Sequence, residues 1–102
     1  MNMKEEIVKS ANKKILFLPH AVTQMSLPER MISISEVRET VMKGIIIEEY
    51  QDDPRGKSCL MLYKQSGRAV HVVCAPKYDY LAIITAYIPD PLLWDSSLSK
   101  RK

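Results

Sequence analysis

The hydrophobic pattern changes period at Gly44, and that change restricts the chain to a small set of folds. Before it, apolar residues recur at helical spacing: Met3, Ile7 and Ala11, then Ala21, Val22 and Met25, then Ile34, Val37, Val41 and Met42. After it, β-branched and aromatic residues gather in short runs. Ile45-Ile46-Ile47-Glu48-Glu49-Tyr50 is the first of these, and segments 58–64, 68–75 and 80–88 follow. Helices first and consecutive strands afterwards predict an α+β domain, with N-terminal helices packed on one face of a four-stranded antiparallel meander.

Local signals set the boundaries. Residues 2–14 read as a short amphipathic helix, and Ile15-Leu16-Phe17-Leu18 as a brief strand or connector ended by Pro19. A helical segment begins at His20, and Pro28 interrupts it. Ser26-x-x-Glu29 offers a restart, while Ser33-x-x-Glu36 is the better capping box, with Gly44 placed to stop its helix. Gln65-Ser66-Gly67 fits a three-residue hairpin loop with glycine in the left-handed position. Pro89-Asp90-Pro91 ends the last strand, and Leu92, Leu93 and Trp94 dock a terminal segment. The 102 residues form one domain: helix 1–14, helical part 15–44, sheet 45–88 and tail 89–102.

Composition excludes more than it assigns. The formal charge of +3, from 15 basic and 12 acidic residues, permits a nucleic-acid partner without requiring one, and nothing points to DNA. Much of the basic excess is terminal, at Lys9, Lys13, Lys14 and Lys100-Arg101-Lys102, and such clusters read first as solvated tails. Cys59 and Cys74 form no Cys-x-x-Cys pair and read as free, buried thiols in a reducing compartment. No apolar run is long enough to cross a membrane, so a cytoplasmic location is expected. His20, Cys59, His71 and Cys74 lack zinc-ligand spacing, so no metal is expected. With three glycines, the chain has no Walker loop, dinucleotide fingerprint or nucleophile elbow, and no cofactor is expected.

The residues with chemistry lie in two apolar runs. Arg68-Ala69-Val70-His71-Val72-Val73-Cys74 carries a histidine between valines, and Leu81 to Ile88 carries Thr85 and Tyr87 two apart, on one strand face. With a three-residue loop, Lys64 opposes Arg68 and His71 faces Met61. Leu60, Leu62, Val70 and Val72 then share the helix-covered face. Tyr63, His71, Thr85 and Tyr87 share the open one. A slip of one residue would undo this grouping.

Several short motifs then follow in order: His20-Ala21-Val22-Thr23-Gln24-Met25, Arg30-Met31-Ile32-Ser33, Gly67-Arg68-Ala69-Val70-His71-Val72, and Thr85-Ala86-Tyr87-Ile88-Pro89 with Trp94 after. Together they resemble a family of small prokaryotic domains, the domain of unknown function 4258, from about Leu16 to Trp94. Gln24 departs from the family's arginine, and the stretch from Ser26 to Glu29 is longer than usual there. The resemblance implies a fold similar to barnase- and RelE-like ribonucleases, many of which are toxins of toxin–antitoxin pairs.

The expected function is therefore a metal-independent, toxin-like endoribonuclease or a degenerate relative, with RNA and an antitoxin-like protein as partners. His71 and His20 supply proton transfer, Tyr87 and Thr85 orient the substrate, and Arg30, Arg68 and Tyr63 contact phosphate or base. Each has a structural reading beside it. A histidine between valines is commonly a hydrogen-bonded sheet residue, His20 can order a helix start, and Glu48 and Glu49 read as solvated edge charges. The alternative function is a non-enzymatic protein-binding or homodimerisation module that uses the open sheet face through Met61, Tyr63, Leu81 and Tyr87.

Overall fold

The computed structural model describes residues 1–102. Helix α1, Met3–Lys13, starts where the Asn2 side chain accepts the Glu5 amide at 2.9 Å, and it buries Met3, Ile7, Ser10 and Ala11. Acidic Glu5 and Glu6 in the first turn and Lys13 in the last complement the helix dipole. Helix α2, Pro19–Met25, opens with proline, which has no amide to leave unpaired. The restart expected at Ser26 does not form. The Ser26 hydroxyl bonds back to the Val22 carbonyl at 2.7 Å and is lost as a cap. Residues 27–30 make a tight turn instead, closed by the amides of Arg30 and Met31 on the Leu27 carbonyl.

Helix α3, Ile34–Lys43, carries the full capping box: the Glu36 amide donates to Ser33 Oγ and the Ser33 amide to Glu36 Oε1, both at 3.0 Å. Its buried stripe is Val37, Thr40 and Val41. Ile34, expected inside, stands 64% exposed in the first turn. Gly44 ends the helix because no side chain fits there: a Cβ would sit 2.4 Å from the Thr40 carbonyl oxygen and 2.7 Å from that of Leu62.

The sheet has five strands and is mixed, where a four-stranded antiparallel meander was expected. Strands β2 (Ile45–Tyr50), β3 (Ser58–Gln65), β4 (Arg68–Pro76) and β5 (Leu81–Tyr87) form that meander. The fifth, β1 (Ile15–Phe17), joins in parallel beside β5, with Ile15 opposite Leu81. A three-residue strand paired to a segment over sixty positions away leaves no local mark in a sequence. The order is β1-β5-β4-β3-β2.

Two irregularities set which side chains share a face. The β3–β4 turn has two residues, Ser66 at φ +54° and Gly67 at φ +74°, so Gln65 pairs with Arg68 and His71 lies opposite Leu62, not Met61. Two left-handed residues in succession match the twist of a tight hairpin, which the expected three-residue loop does not need. A bulge at Ile84 then shifts the outer half of β5, so Cys74 pairs with Ile83 while Val73 pairs with Thr85. The helices cover Cys59, Met61, Val70, Val72, Cys74, Leu81, Ile83 and Ala86, which form the main core. The other face carries Leu60, Leu62, His71, Val73, Thr85 and Tyr87, with Ala75, Ala82 and Ile84 in a smaller cluster.

That second face is not open. After Pro89 the chain turns at Asp90 and folds back as a small hairpin, in which Trp94 bridges Arg101. The Asp95 amide bonds the Lys100 carbonyl at 2.8 Å and the Lys102 amide the Leu93 carbonyl at 3.0 Å. The Asp95 carboxylate ties the loop by accepting from Ser97 Oγ at 2.7 Å. Trp94 docks as expected and is buried, whereas Leu92 and Leu93 face solvent. No helix is long and apolar enough to cross a membrane.

Candidate functional site: a sealed imidazole on the sheet

His71 sits in mid-β4 on the helix-free face, and its ring is fully buried. Its Nε2 lies 2.7 Å from the Leu98 carbonyl oxygen, which can only accept, so Nε2 carries the proton. Nδ1, 3.2 Å from Tyr87 Oη, then accepts the phenolic hydrogen. Tyr87 is opposite His71 in the β4–β5 ladder, and the Trp94 ring meets the imidazole edge-on at 4.6 Å between centroids. Burial drives the His71 pKa below its ordinary 6.5; the Leu98 carbonyl and the Glu48 carboxylate oppose the shift, and the Arg101 charge adds to it. Burial also pushes the Tyr87 hydroxyl up.

Beside this pair lies a second one. Glu48 projects from β2 onto the same face, opposite Leu60, and takes a forked pair of bonds from Arg101, Nε to Oε2 at 2.8 Å and Nη2 to Oε1 at 3.1 Å. Tyr50, two residues along, donates its hydroxyl to Glu48 Oε1 at 2.6 Å. The Arg101 bonds hold the Glu48 carboxyl below its usual range, with burial opposing and Tyr50 assisting. Burial, and then the bond to Glu48, push the Tyr50 hydroxyl up to about 12. The Arg101 guanidinium also lies over the Trp94 ring, 4.7 Å from its centroid. Glu48, Tyr50, His71, Tyr87, Trp94 and Arg101 thus make one connected cluster.

The sequence reading brought His71, Thr85 and Tyr87 to one face, and they are there together. Thr85 stands opposite Val73, half-buried, outside the bonds that hold the imidazole. The remaining candidates are elsewhere. Tyr63 pairs with Val70 and so shares the helix-covered side, because the two-residue turn moved β3 by one position. His20 is exposed on α2. Arg30 donates to Gln24 Oε1 at 2.7 Å, and Arg68 bonds the Arg30 carbonyl while facing Glu36 Oε2 at 3.2 Å. Those arginines tie α2, α3 and the start of β4 together on the helical side, away from His71. The two cysteines and two histidines lie apart: Cys59 and Cys74 face one another in the main core, His71 is on the opposite face and His20 is at the surface.

Of the residues expected to form a binding face, Tyr63 and Tyr87 are half-buried and two are not at the surface. Met61 and Leu81 are fully buried in the main core, and the C-terminal hairpin lies over the face that was expected to be open. Glu48, read as a solvated edge charge, and Arg101, read as part of a solvated tail, are the residues that sequence reasoning missed. One signal was present: Glu48 and Tyr50 stand two apart on a strand and so share a face. Nothing local could pair them with a residue fifty positions away.

No curated protein and no solved structure matches the chain. A family does: its sequence profile covers residues 17–88, spanning every helix and strand except α1 and β1's first two residues. With the His71 and Tyr87 positions both inside that match, the chain belongs to the family described as "Domain of unknown function (DUF4258)".

Proposed function

We propose that this protein is a metal-independent endoribonuclease, or a degenerate relative of one, whose chemistry is carried by His71 and Tyr87. The observation that supports this reading is the direct bond from the Tyr87 hydroxyl to His71 Nδ1, flanked by the Glu48 carboxylate. Intramolecular RNA cleavage needs a base for the 2′-hydroxyl, an acid for the departing 5′-oxygen and a group that returns the proton between them. A buried imidazole that is neutral near pH 7 is a base by nature.

In this reading the Tyr87 hydroxyl turns from His71 Nδ1 to the 5′-oxygen, Nδ1 takes the 2′-hydroxyl proton with the lone pair thus freed, and the 2′-oxygen attacks the adjacent phosphorus. The bond from phosphorus to the 5′-oxygen breaks as Tyr87 gives that oxygen its phenolic proton. The imidazolium then returns a proton to the Tyr87 phenolate, leaving a 2′,3′-cyclic phosphate, a free 5′-hydroxyl and the protein as it began. Glu48 steadies the imidazolium by its charge, and Thr85 borders the substrate. The exposed cations Lys100 and Lys102 draw the RNA backbone toward this face in this reading, in place of Arg30 and Arg68. The toxin-type role and the antitoxin partner are part of the proposal and rest on the likeness to RelE- and barnase-like ribonucleases that the sequence motifs imply.

Because His71 is buried, the informative variant is one that keeps its volume. His71→Gln is expected to abolish cleavage of a single-stranded RNA while the far-ultraviolet circular dichroism stays that of the parent. Cleavage at the parent rate would remove His71 from the chemistry.

A further inference from the structure

The hairpin formed by residues 90–102 sits where a substrate of the proposed site would have to enter. Its Leu98 carbonyl occupies the proton-bearing nitrogen of His71, its Trp94 covers the imidazole and its Arg101 occupies Glu48. We propose that this hairpin is an autoinhibitory strap, latched by Arg101 on Glu48 and released when phosphate groups of single-stranded RNA draw Arg101 away. The substrate named here rests on the ribonuclease reading; the strap itself rests on geometry.

Three features mark the strap as releasable. Its apolar anchoring is thin, since Trp94 is buried and Leu98 half-buried while Leu92 and Leu93 are 80% and 63% exposed. Leu98, which delivers the carbonyl to His71, holds φ at +61°, a left-handed conformation that a branched residue resists, so the closed hairpin carries strain. The latch is also reachable: the Arg101 side chain is 61% exposed, although it is bound to a carboxylate that is only 24% exposed. A forked guanidinium accepts phosphate in the same geometry as carboxylate, and Lys100 and Lys102 flank it with two more positive charges. Polyanions therefore gather at the residue that closes the site.

Release does two things at once. It uncovers the imidazole by withdrawing Trp94 and the Leu98 carbonyl, and it leaves the Glu48 carboxylate unneutralised on the face where an imidazolium must form. One ion pair thus governs both access and basicity.

The test reads the strap and the chemistry separately. Hydrogen exchange at the amides of Asp95 and Lys102, which close the hairpin, is followed by NMR with β4 amides as the internal reference. Arg101→Glu, a surface change that sets two carboxylates against each other, is expected to speed strap exchange about tenfold and leave β4 unchanged. A single-stranded oligoribonucleotide with 2′-O-methyl groups, which cannot be cleaved, is expected to do the same to the unaltered chain at low salt. Strap amides that exchange at the parent rate in Arg101→Glu, or that ignore the oligomer, overturn the proposal. In parallel, an unmodified RNA is expected to be cut faster by Arg101→Glu than by the parent. Absence of cutting by both proteins, with strap amides that respond, would discard the ribonuclease reading and leave the strap standing as an RNA-released cover.

Discussion

At His71, burial and hydrogen bonding act in opposite directions on one proton. Desolvation is the larger effect, so the folded chain holds this imidazole neutral at pH values where an unfolded one, with its ordinary pKa of 6.5, begins to charge. Below that pH the unfolded state binds the extra proton and the folded state does not. Stability therefore falls as pH drops from 6.5 toward the lowered folded value, and it levels off beneath that. Glu48 acts in a separate window: its depressed pKa contributes stability above 4.5 that is lost as the carboxylate protonates at lower pH. The expected outcome is a urea midpoint that declines from pH 6.5 downward in the parent and stays flatter in His71→Gln until the carboxylate range begins. Equal slopes in the two proteins would show that His71 titrates alike in both states. At this scale the sequence revealed the imidazole and the phenol. It did not reveal that Nε2 would meet a main-chain carbonyl from the tail, because any residue can supply a carbonyl.

Among the elements, the β3–β4 turn shows how one residue of loop length redistributes a whole face. Gln65-Ser66-Gly67 can be read as a three-residue loop or as Ser-Gly in a two-residue turn, and the strands' own patterns are too uniformly apolar to arbitrate. The observed turn needs φ positive at both central positions, at +54° and +74°. Serine tolerates that conformation poorly and asparagine better, so Ser66→Asn is expected to raise stability by about 0.5 kcal/mol and Gly67→Ala to lower it by about 1 kcal/mol. Urea unfolding of the two variants checks this, and a loss in Ser66→Asn would argue for another turn geometry. Helices α1 and α3 and the four antiparallel strands were legible because period and caps are local. The bulge at Ile84 and the parallel strand β1 were not, since each exists only with respect to a partner strand. His71, Thr85 and Tyr87 still came out on one face. Only β3, carrying Tyr63, is moved by the shorter turn, and Thr85 and Tyr87 both lie beyond the bulge.

The molecule as a whole encloses its sheet on both sides, with helices over one face and the C-terminal hairpin over the other. Cys59 and Cys74 lie opposite one another beneath the helices, Sγ to Sγ 3.9 Å, with no solvent exposure. The neighbouring Cys59 thiol and burial push the Cys74 thiol well up, so the reactive thiolate is scarce as well as unreachable. Both thiols are expected to resist a chromogenic disulfide reagent in the folded protein and to react together once urea unfolds it. Prompt labelling of either thiol without denaturant would mean that the helices open far more readily than this core allows. The two faces thus differ in degree: one is closed by a cluster of sixteen buried residues, while the hairpin over the other contributes one buried tryptophan, the Leu98 carbonyl bond and an ion pair.

By itself the amino-acid sequence determined the class of the domain, the order of helices before strands, the capping of α3 and the family. All of these depend on side-chain period, on caps a few residues apart, or on motifs in linear order. Tertiary structure alone decided that the sheet gains a parallel edge strand, that Arg30 and Arg68 stand apart from His71, and that Glu48 and Arg101 join it. Those outcomes turn on strand register and on contacts fifty residues apart, where a shift of one position reverses the face of every side chain and no local pattern records the choice.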